Sequence, residues 1–349
     1  MGVANHQWTR IGFDSHHRRD VLPGMTAVQD TAAGFQSAAL TGGRSLRQII
    51  WSRLRRDKVA MICLIVLVVY YFLGILGPVI FGAMGLNPYT FDASAISDLG
   101  GKPNGAFGGI SSTHPLGVEW GTGRDIMAQL MFGLRISLVI ATSATLITVA
   151  IGTVIGIIAG YSGGWTDTII GRLMDLVLAF PFLLIILALS NVLTDRLTEL
   201  GVPSGNPSRI VYLILVLSVF GWPYLARIVR GQVLSLRERE FVESAIAMGS
   251  SKRRILFTEI LPNLWAPILV YATLTLPAYI GLEAVLSFLG VGVLPPETTF
   301  GAILANSVSY FNVVPTYLFI PGTALVILVV SFNLLGDALR DALDPKAIH

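Results

Sequence analysis

Six stretches of this chain are apolar over about 20 residues each, the length that an α-helix needs to cross a bilayer. Only 13% of its 349 residues are charged, against about 25% in an ordinary soluble domain, which is too few to cover a soluble protein of this size. The sequence therefore predicts an all-α integral membrane protein with six transmembrane helices. The stretches cover approximately residues 59–81, 134–159, 169–192, 210–229, 264–286 and 317–335.

Lysine and arginine are concentrated in alternate connections between these stretches. With the N-terminus inside, 19 basic residues fall on the cytoplasmic side and 5 on the opposite side. Because positively charged connections stay in the cytoplasm, both termini are predicted to be cytoplasmic. The net charge of +3 is too small and too dispersed to indicate binding to nucleic acid.

The connections divide the chain into four predicted parts. Residues 1–45 are expected to form a disordered cytoplasmic tail, because their small and polar side chains offer little to bury. Residues 46–81 carry the first span, and the Gly-, Ser-, Asn- and Pro-rich residues 82–129 are expected to form an irregular external loop. Residues 130–345 hold the other five spans and a charged cytoplasmic segment at about 237–254.

The charged segment predicts a pair of short helices on the cytoplasmic side, interrupted at Gly249, a residue that can reverse the chain. Ala245 and Gly249 are one helical turn apart, so we expect them to share a face that another protein can approach closely. A surface helix whose basic side chains pair with anionic membrane lipid is the alternative interpretation.

Sequence motifs in and beyond this segment carry a family resemblance. Glu243-Ser244-Ala245, followed by Gly249 and Leu261-Pro262, resembles the EAA signature of ATP-binding-cassette (ABC) importer permeases. From about residue 46 to 346 the chain also resembles the C-type permease subunit of dipeptide, oligopeptide and nickel importers. The stretches that carry this resemblance are RRDKVAMICL, HPLGVEWGTGRDIMAQLMFGLRISL, GYSGGWTD, LAFPFLL, ARIVRGQVLSLREREFVESA, EAVLSFLGVGVLPP and FNLLGDALRDALDP.

The chain departs from the family at several external positions. Val118-Glu119 stands where the family more often has Thr-Asp, and Met127-Ala128-Gln129 where it commonly has Leu-Ser-Arg. The N-terminal tail and the Gly-rich insert before His114 are also longer. These departures leave the external surface, and with it the cargo, open.

The resemblance implies a type I ABC importer permease fold in a bacterial cytoplasmic (inner) membrane. It implies a permease subunit for dipeptides or oligopeptides, with nickel chelates as the alternative cargo. The implied partners are a second homologous permease, two cytoplasmic ATP-binding-cassette ATPase subunits or domains, and an extracytoplasmic substrate-binding protein.

The resemblance also implies roles for individual residues. Contact with the ATPase is expected at Glu243, Ser244, Ala245, Gly249, Lys252, Arg253, Arg254, Leu261 and Pro262. Arg124 and Asp125 are expected to pair at the start of the second span, as possible residues of an external gate or pathway. Glu283 lies late in the fifth span, where a charge is costly, and is interpreted either as a gate or pathway residue or as an interfacial one.

Catalysis by this chain is not expected. It has no Gly-x-x-x-x-Gly-Lys-Ser/Thr loop, so ATP and Mg²⁺ are expected on the partner ATPases and no cofactor on this chain. His-Glu-x-x-His does not occur and no nucleophile elbow is expected, which weighs against a membrane hydrolase. The five histidines show no metal-ligand spacing. An ion-driven secondary transporter remains the alternative from another class, although the inverted repeats that it predicts are not evident.

The charge bias predicts that the segment around Gly249 lies inside and that Gly105 lies outside. In a Cys63→Ser background, we expect a cysteine at Gly105 to react with an impermeant thiol reagent in intact cells. A cysteine at Ser250 is expected to react only after the membrane is opened. External labelling of the Ser250→Cys variant would contradict this topology.

Overall fold

The computed structural model describes residues 51–98 and 100–343, and the predicted tail at 1–45 lies outside the described residues. Helices dominate these residues, and their strand-like pairings are two isolated bridges in the connection before the second span. We number the nine described helices of eight or more residues in chain order. They are α1 (Lys58–Ala83), α2 (Ile126–Ser162), α3 (Gly164–Ala179), α4 (Phe182–Glu199), α5 (Asn206–Leu236), α6 (Glu240–Ala247), α7 (Lys252–Phe288), α8 (Phe300–Val308) and α9 (Thr316–Leu343).

Five helices are long and apolar enough to cross a membrane, namely α1, α2, α5, α7 and α9. Helices α3 and α4 together make a sixth candidate span, which is bent. The predicted all-helical membrane architecture is therefore confirmed for the described residues. Helices α2 and α5 contain 37 and 31 residues, which exceeds the approximately 20 needed to span the hydrocarbon core.

Pro181 within residues 169–192 predicts a kinked third span, and the structure breaks this span into two helices. The chain bends by 85° between α3 and α4. Pro181 has no N–H to donate to the hydrogen-bond ladder of α3, and its ring disfavours a helical conformation at Phe180. Phe180 is accordingly extended, with φ −77° and ψ 136°. The third span is a broken helix with its corner at Phe180 and Pro181.

Three glycines spaced four residues apart let α2 and α5 approach closely. Gly152, Gly156 and Gly160 lie along one face of α2. A methyl group added at Gly156 would stand 2.7 Å from the carbonyl oxygen of Ala226 and 2.7 Å from Cβ of Val229. Small residues at helix interfaces are the usual means by which membrane helices gain close van der Waals packing. This glycine seam fixes how α2 and α5 pack.

Buried tyrosines tie further helices to this pair. The Tyr212 hydroxyl of α5 donates to the carbonyl oxygen of Ile186 in α4 at 2.5 Å. The Tyr279 hydroxyl of α7 donates to the carbonyl oxygen of Leu217 in α5 at 2.9 Å and lies 2.9 Å from the Thr148 hydroxyl in α2. Both phenols therefore have polar partners inside the bundle, as buried tyrosines require.

Adding one methyl group tests the glycine seam. We expect Gly156→Ala to lower the free energy of unfolding by about 1–3 kcal/mol, because the new carbon overpacks the contact with α5. Gly171→Ala on α3 is the matched control, since a methyl group there meets nothing within 4 Å. Thermal unfolding in detergent compares the two variants, and equal stability would contradict the seam.

Candidate functional site

The connecting segment, residues 237–254, joins α5 to α7 and contains α6. Two hydrogen bonds close the end of α6: the Ser250 N–H donates to the Ala245 carbonyl at 3.0 Å, and the Gly249 N–H donates to the Ile246 carbonyl at 2.9 Å. This pair of bonds needs a left-handed residue directly after the helix. Gly249 supplies it with φ +75°, so the predicted chain reversal at Gly249 is confirmed.

The predicted shared face of Ala245 and Gly249 is wrong, because α6 ends before Gly249. Ala245 is only 4% exposed and packs in a cluster with Val242, Ile255 and Ile260. Its small side chain fits α6 against the chain's own core and offers no surface to another protein. The second of the two predicted short helices is not separate either, since it forms the start of α7.

Three apolar side chains of α6 and of the residue after it are exposed, two of them flanking the buried face of Val242 and Ala245. Phe241, Ile246 and Met248 are 39%, 53% and 78% exposed. Glu243 and Ser244 are exposed beside them. A cluster of exposed apolar side chains within a charged segment is typical of a protein contact surface.

The other residues of the signature begin α7. Lys252, Arg253 and Arg254 form its exposed first turn, and the Ser251 hydroxyl caps that turn by accepting from the Arg254 N–H at 3.4 Å. A π-helical turn at Ile255–Ile260 and a 3-10 turn that begins with Leu261-Pro262 follow. The regular α-helical ladder is therefore interrupted where Pro262 cannot donate.

On the opposite end of the bundle, Arg124 pairs with Glu119 and not with Asp125, which corrects the sequence-based expectation. Two N–H groups of Arg124 donate to the Glu119 carboxylate at 2.5 and 2.9 Å, and both side chains are about 5% exposed. The Tyr317 hydroxyl of α9 also donates to Glu119 at 2.9 Å, and Arg124 reaches the carbonyl oxygen of Pro296 at 3.2 Å. This buried cluster ties the connection between α1 and α2 to α9.

Asp125 instead caps α2 and contacts His114. Its carboxylate accepts from the Ala128 N–H at 2.7 Å and lies 2.9 Å from Nδ1 of His114, whose Nε2 lies 3.3 Å from Asp92. Hydrogen bonds from Ser94, and also from His114, lower the pKa of the Asp92 carboxyl. Among the described residues, no group of three or more His, Cys, Asp or Glu side chains is placed to hold a metal ion.

Glu283 is fully buried inside the chain's own helices. The Ser137 hydroxyl of α2 donates to its carboxylate at 2.9 Å, and the Ser287 hydroxyl donates at 2.7 Å. The Ser137 hydroxyl in turn accepts from the Phe300 N–H at 3.3 Å. Glu283 therefore links α2, α7 and α8 and does not lie at a surface facing lipid or water.

A cavity of about 460 Å³ lies where the broken third span meets α5 and α7. Phe180 and Phe182 border it from the corner of the third span, and Tyr224, Tyr271 and Tyr279 border it from the other two helices. Six of its fourteen lining residues are aromatic and most of the others are aliphatic, with phenol groups as its main polar components. Sequence reasoning missed this group, although Pro181 within an apolar stretch signals the corner.

Glu119 and His114 are the other residues that sequence reasoning did not place in a site. The one available signal for Glu119 was the departure of Val118-Glu119 from the family pattern. Nothing in the spacing of the sequence indicates that Glu119 reaches Arg124, because the connection between them folds back through a turn that includes Gly121 and Gly123, both with positive φ.

Comparison with known proteins gives matches along most of the chain. Residues 152–349 match the family described as "Binding-protein-dependent transport system inner membrane component", and residues 45–99 match the "N-terminal TM domain of oligopeptide transport permease C". Over 304 residues, the chain is 35% identical to "Oligopeptide transport system permease protein OppC" of Haemophilus influenzae, covering 87% of this chain and 90% of the relative.

Two further relatives are similarly close. Over 296 residues, the chain is 34% identical to "Dipeptide transport system permease protein DppC" of Alkalihalophilus pseudofirmus, covering 85% of this chain and 88% of the relative. Over 300 residues, it is 36% identical to "Glutathione transport system permease protein GsiD" of Pectobacterium atrosepticum, covering 85% and 90%.

The buried Arg124–Glu119 pair makes a measurable prediction. Arg124→Leu leaves the Glu119 carboxylate buried without its cation, which we expect to cost about 3–5 kcal/mol of stability. Arg196→Leu breaks the exposed pair with Glu199 and is expected to cost at most about 1 kcal/mol. Denaturant unfolding measures the loss of stability in both variants. Similar losses would show that the buried pair contributes no more to stability than the exposed pair.

Proposed function

The chain belongs to the binding-protein-dependent transport system inner membrane components, in the dipeptide and oligopeptide permease C group, and on this basis we propose that it forms one side of the membrane pathway of an ATP-driven peptide importer. The chain is thus a multi-pass protein of the inner membrane. Both termini and the connecting segment are proposed to lie in the cytoplasm, in keeping with the distribution of basic residues.

The connecting segment is the observation that carries this proposal. Its α6 is held by Val242 and Ala245 against the same core cluster as Val233 near the end of α5. Phe241 and Ile246, which flank that buried face, and Met248, which follows α6, remain exposed to a partner. We propose that this exposed face lies in a groove of a cytoplasmic ATPase, a helix-in-groove contact.

The proposed mechanism is alternating access. ATP binding closes two ATPase subunits or domains, moves the connecting segments of this chain and of a second homologous permease, and opens the pathway to cargo from an external binding protein. Hydrolysis then returns the pathway to its inward-facing state. ATP and Mg²⁺ bind to the ATPases, and this chain contributes no catalytic group or cofactor.

Peptides are the proposed cargo, because the relatives are named as transporters of oligopeptides, dipeptides and glutathione, itself a tripeptide. The binding protein is proposed to select among peptide lengths. The membrane pathway then needs only to admit the selected peptide.

Reconstitution tests this function. We expect proteoliposomes that contain this chain, its partner permease, the ATPases and the binding protein to accumulate labelled peptide only when ATP is present. Unlabelled dipeptides, longer peptides and nickel are then compared as competitors. Peptide accumulation by this chain alone, driven by a proton or sodium gradient, would contradict the proposal.

Gly249 offers a test of energy coupling. Gly249→Leu forces a side chain into the left-handed region at a cost of about 1–2 kcal/mol, so we expect binding-protein-stimulated ATP hydrolysis and peptide uptake to fall roughly 5- to 30-fold. Gly249→Asn is the matched control, because asparagine tolerates this conformation better, and it should retain most of the activity. Normal stimulated hydrolysis by an assembled Leu variant would contradict this role.

A further inference from the structure

Two arginine–aspartate pairs, here called the α3–α5 ion pairs, join α3 to α5. Arg230 binds both carboxylate oxygens of Asp167: Nη2 donates to Oδ2 at 2.6 Å and Nε donates to Oδ1. Nη2 of Arg227 donates to Oδ1 of Asp175 at 2.5 Å. The two aspartates are eight residues apart on α3, which separates the two attachment points by about 12 Å along the helix.

Apart from these pairs, α3 has little packing to hold it against α5. Met174 is its one buried residue among those that the structure describes, and it packs with Trp222 and Ala226 of α5. The remaining side chains of α3 are partly or fully exposed. Ile170 and Val177 of α3 also pack, partly buried, against this small cluster, so the orientation of α3 relative to α5 depends on the charge pairs together with a limited apolar contact.

The ion pairs lie between the connecting segment and the corner of the third span. On one side, Val229 and Val233 of α5 share a buried cluster with Val242 and Ala245 of α6, so the end of α5 and α6 form one packed unit. On the other side, α3 continues from Asp175 for one further turn and ends at Ala179. The next residue, Phe180, borders the cavity between the third span, α5 and α7.

We propose that the α3–α5 ion pairs transmit a displacement of the connecting segment to the broken third span, so that the cavity wall at Phe180 moves when α6 moves. This inference rests on the proposed function, because a partner must displace α6. Asp167, Asp175, Arg227 and Arg230 act as positioning residues in this connection and do not bind cargo.

The exposure of the pairs separates this role from a purely structural one. The Arg227 and Asp175 side chains are 47% and 58% exposed, and those of Arg230 and Asp167 are 37% and 19% exposed, and ion pairs that water reaches contribute little to stability. Their loss is therefore expected to disturb coupling much more than folding. Exchanging the two charges of a pair preserves the connection, whereas reversing one charge breaks it.

The test uses the complete complex with the partner permease, ATPases and binding protein, in a Cys63→Ser background with a Phe180→Cys reporter. The variants are Asp167→Arg, Arg230→Asp and the double exchange. Arg172→Asp is the control, because Arg172 is 83% exposed and faces Asp175 on its own helix at 4.0 Å. The measurement is the rate of thiol labelling at position 180, with and without ATP and vanadate.

We expect ATP and vanadate to change the labelling rate in the reporter complex without a charge reversal (the unreversed complex) and in the Arg172→Asp control. Each single reversal should reduce that change by about 3- to 30-fold, within the range found for mutations along a coupling connection. Complex assembly and ATP hydrolysis should persist. The double exchange should restore the change in labelling.

Two results would overturn the inference: a nucleotide-dependent change that persists in both single reversals, or single reversals that lose the assembled complex and are not rescued by the exchange. The second result would assign the pairs a structural role only. The absence of any nucleotide-dependent change in the unreversed complex would instead count against the proposed function, and the inference would fail with it.

Discussion

The close contact between α2 and α5 is the interaction on which the other described helices depend. Gly156 and its neighbours on α2 bring the two backbones together, and α7 then inserts Tyr279 so that its hydroxyl reaches both helices. A methyl group at Gly221 of α5 would stand only 1.8 Å from that hydroxyl oxygen. Because α5 also carries α6 on its last turns, the same contact determines where the connecting segment lies.

Sequence reasoning predicts those features that follow from local physics. The apolar stretches predict the spans, because length and hydrophobicity suffice to identify a transmembrane helix, and Gly249 predicts a reversal, because few residues tolerate its backbone conformation. It fails where the outcome depends on distant parts of the chain. Arg124 was assigned to the adjacent Asp125, but the fold of the external connection gives it to Glu119. Pro181 within the third apolar stretch predicts a kink, because proline lacks an N–H, but it does not predict a bend as large as 85°.

The signature residues of the connecting segment divide between two roles that the sequence does not distinguish. Ala245 is turned inward and Gly249 closes the helix, so both fix the position of α6 on its own subunit. Phe241, Ile246 and Met248 are the exposed side chains that we propose to contact the ATPase. Small residues in a family signature can therefore reflect packing within the subunit as much as docking to a partner. The identity of the outward residues is then free to match the particular ATPase.

The central claim is that the outward face of α6 contacts an ATPase, and site-specific photo-cross-linking tests it most directly. A photoreactive amino acid at Met248, in the assembled complex in membranes, is predicted to cross-link to the ATPase subunit. The same group at Phe107, exposed in the connection between α1 and α2, is predicted to give no ATPase product. Cross-links from Met248 to lipid alone, in a complex that hydrolyses ATP and transports peptide, would contradict the account.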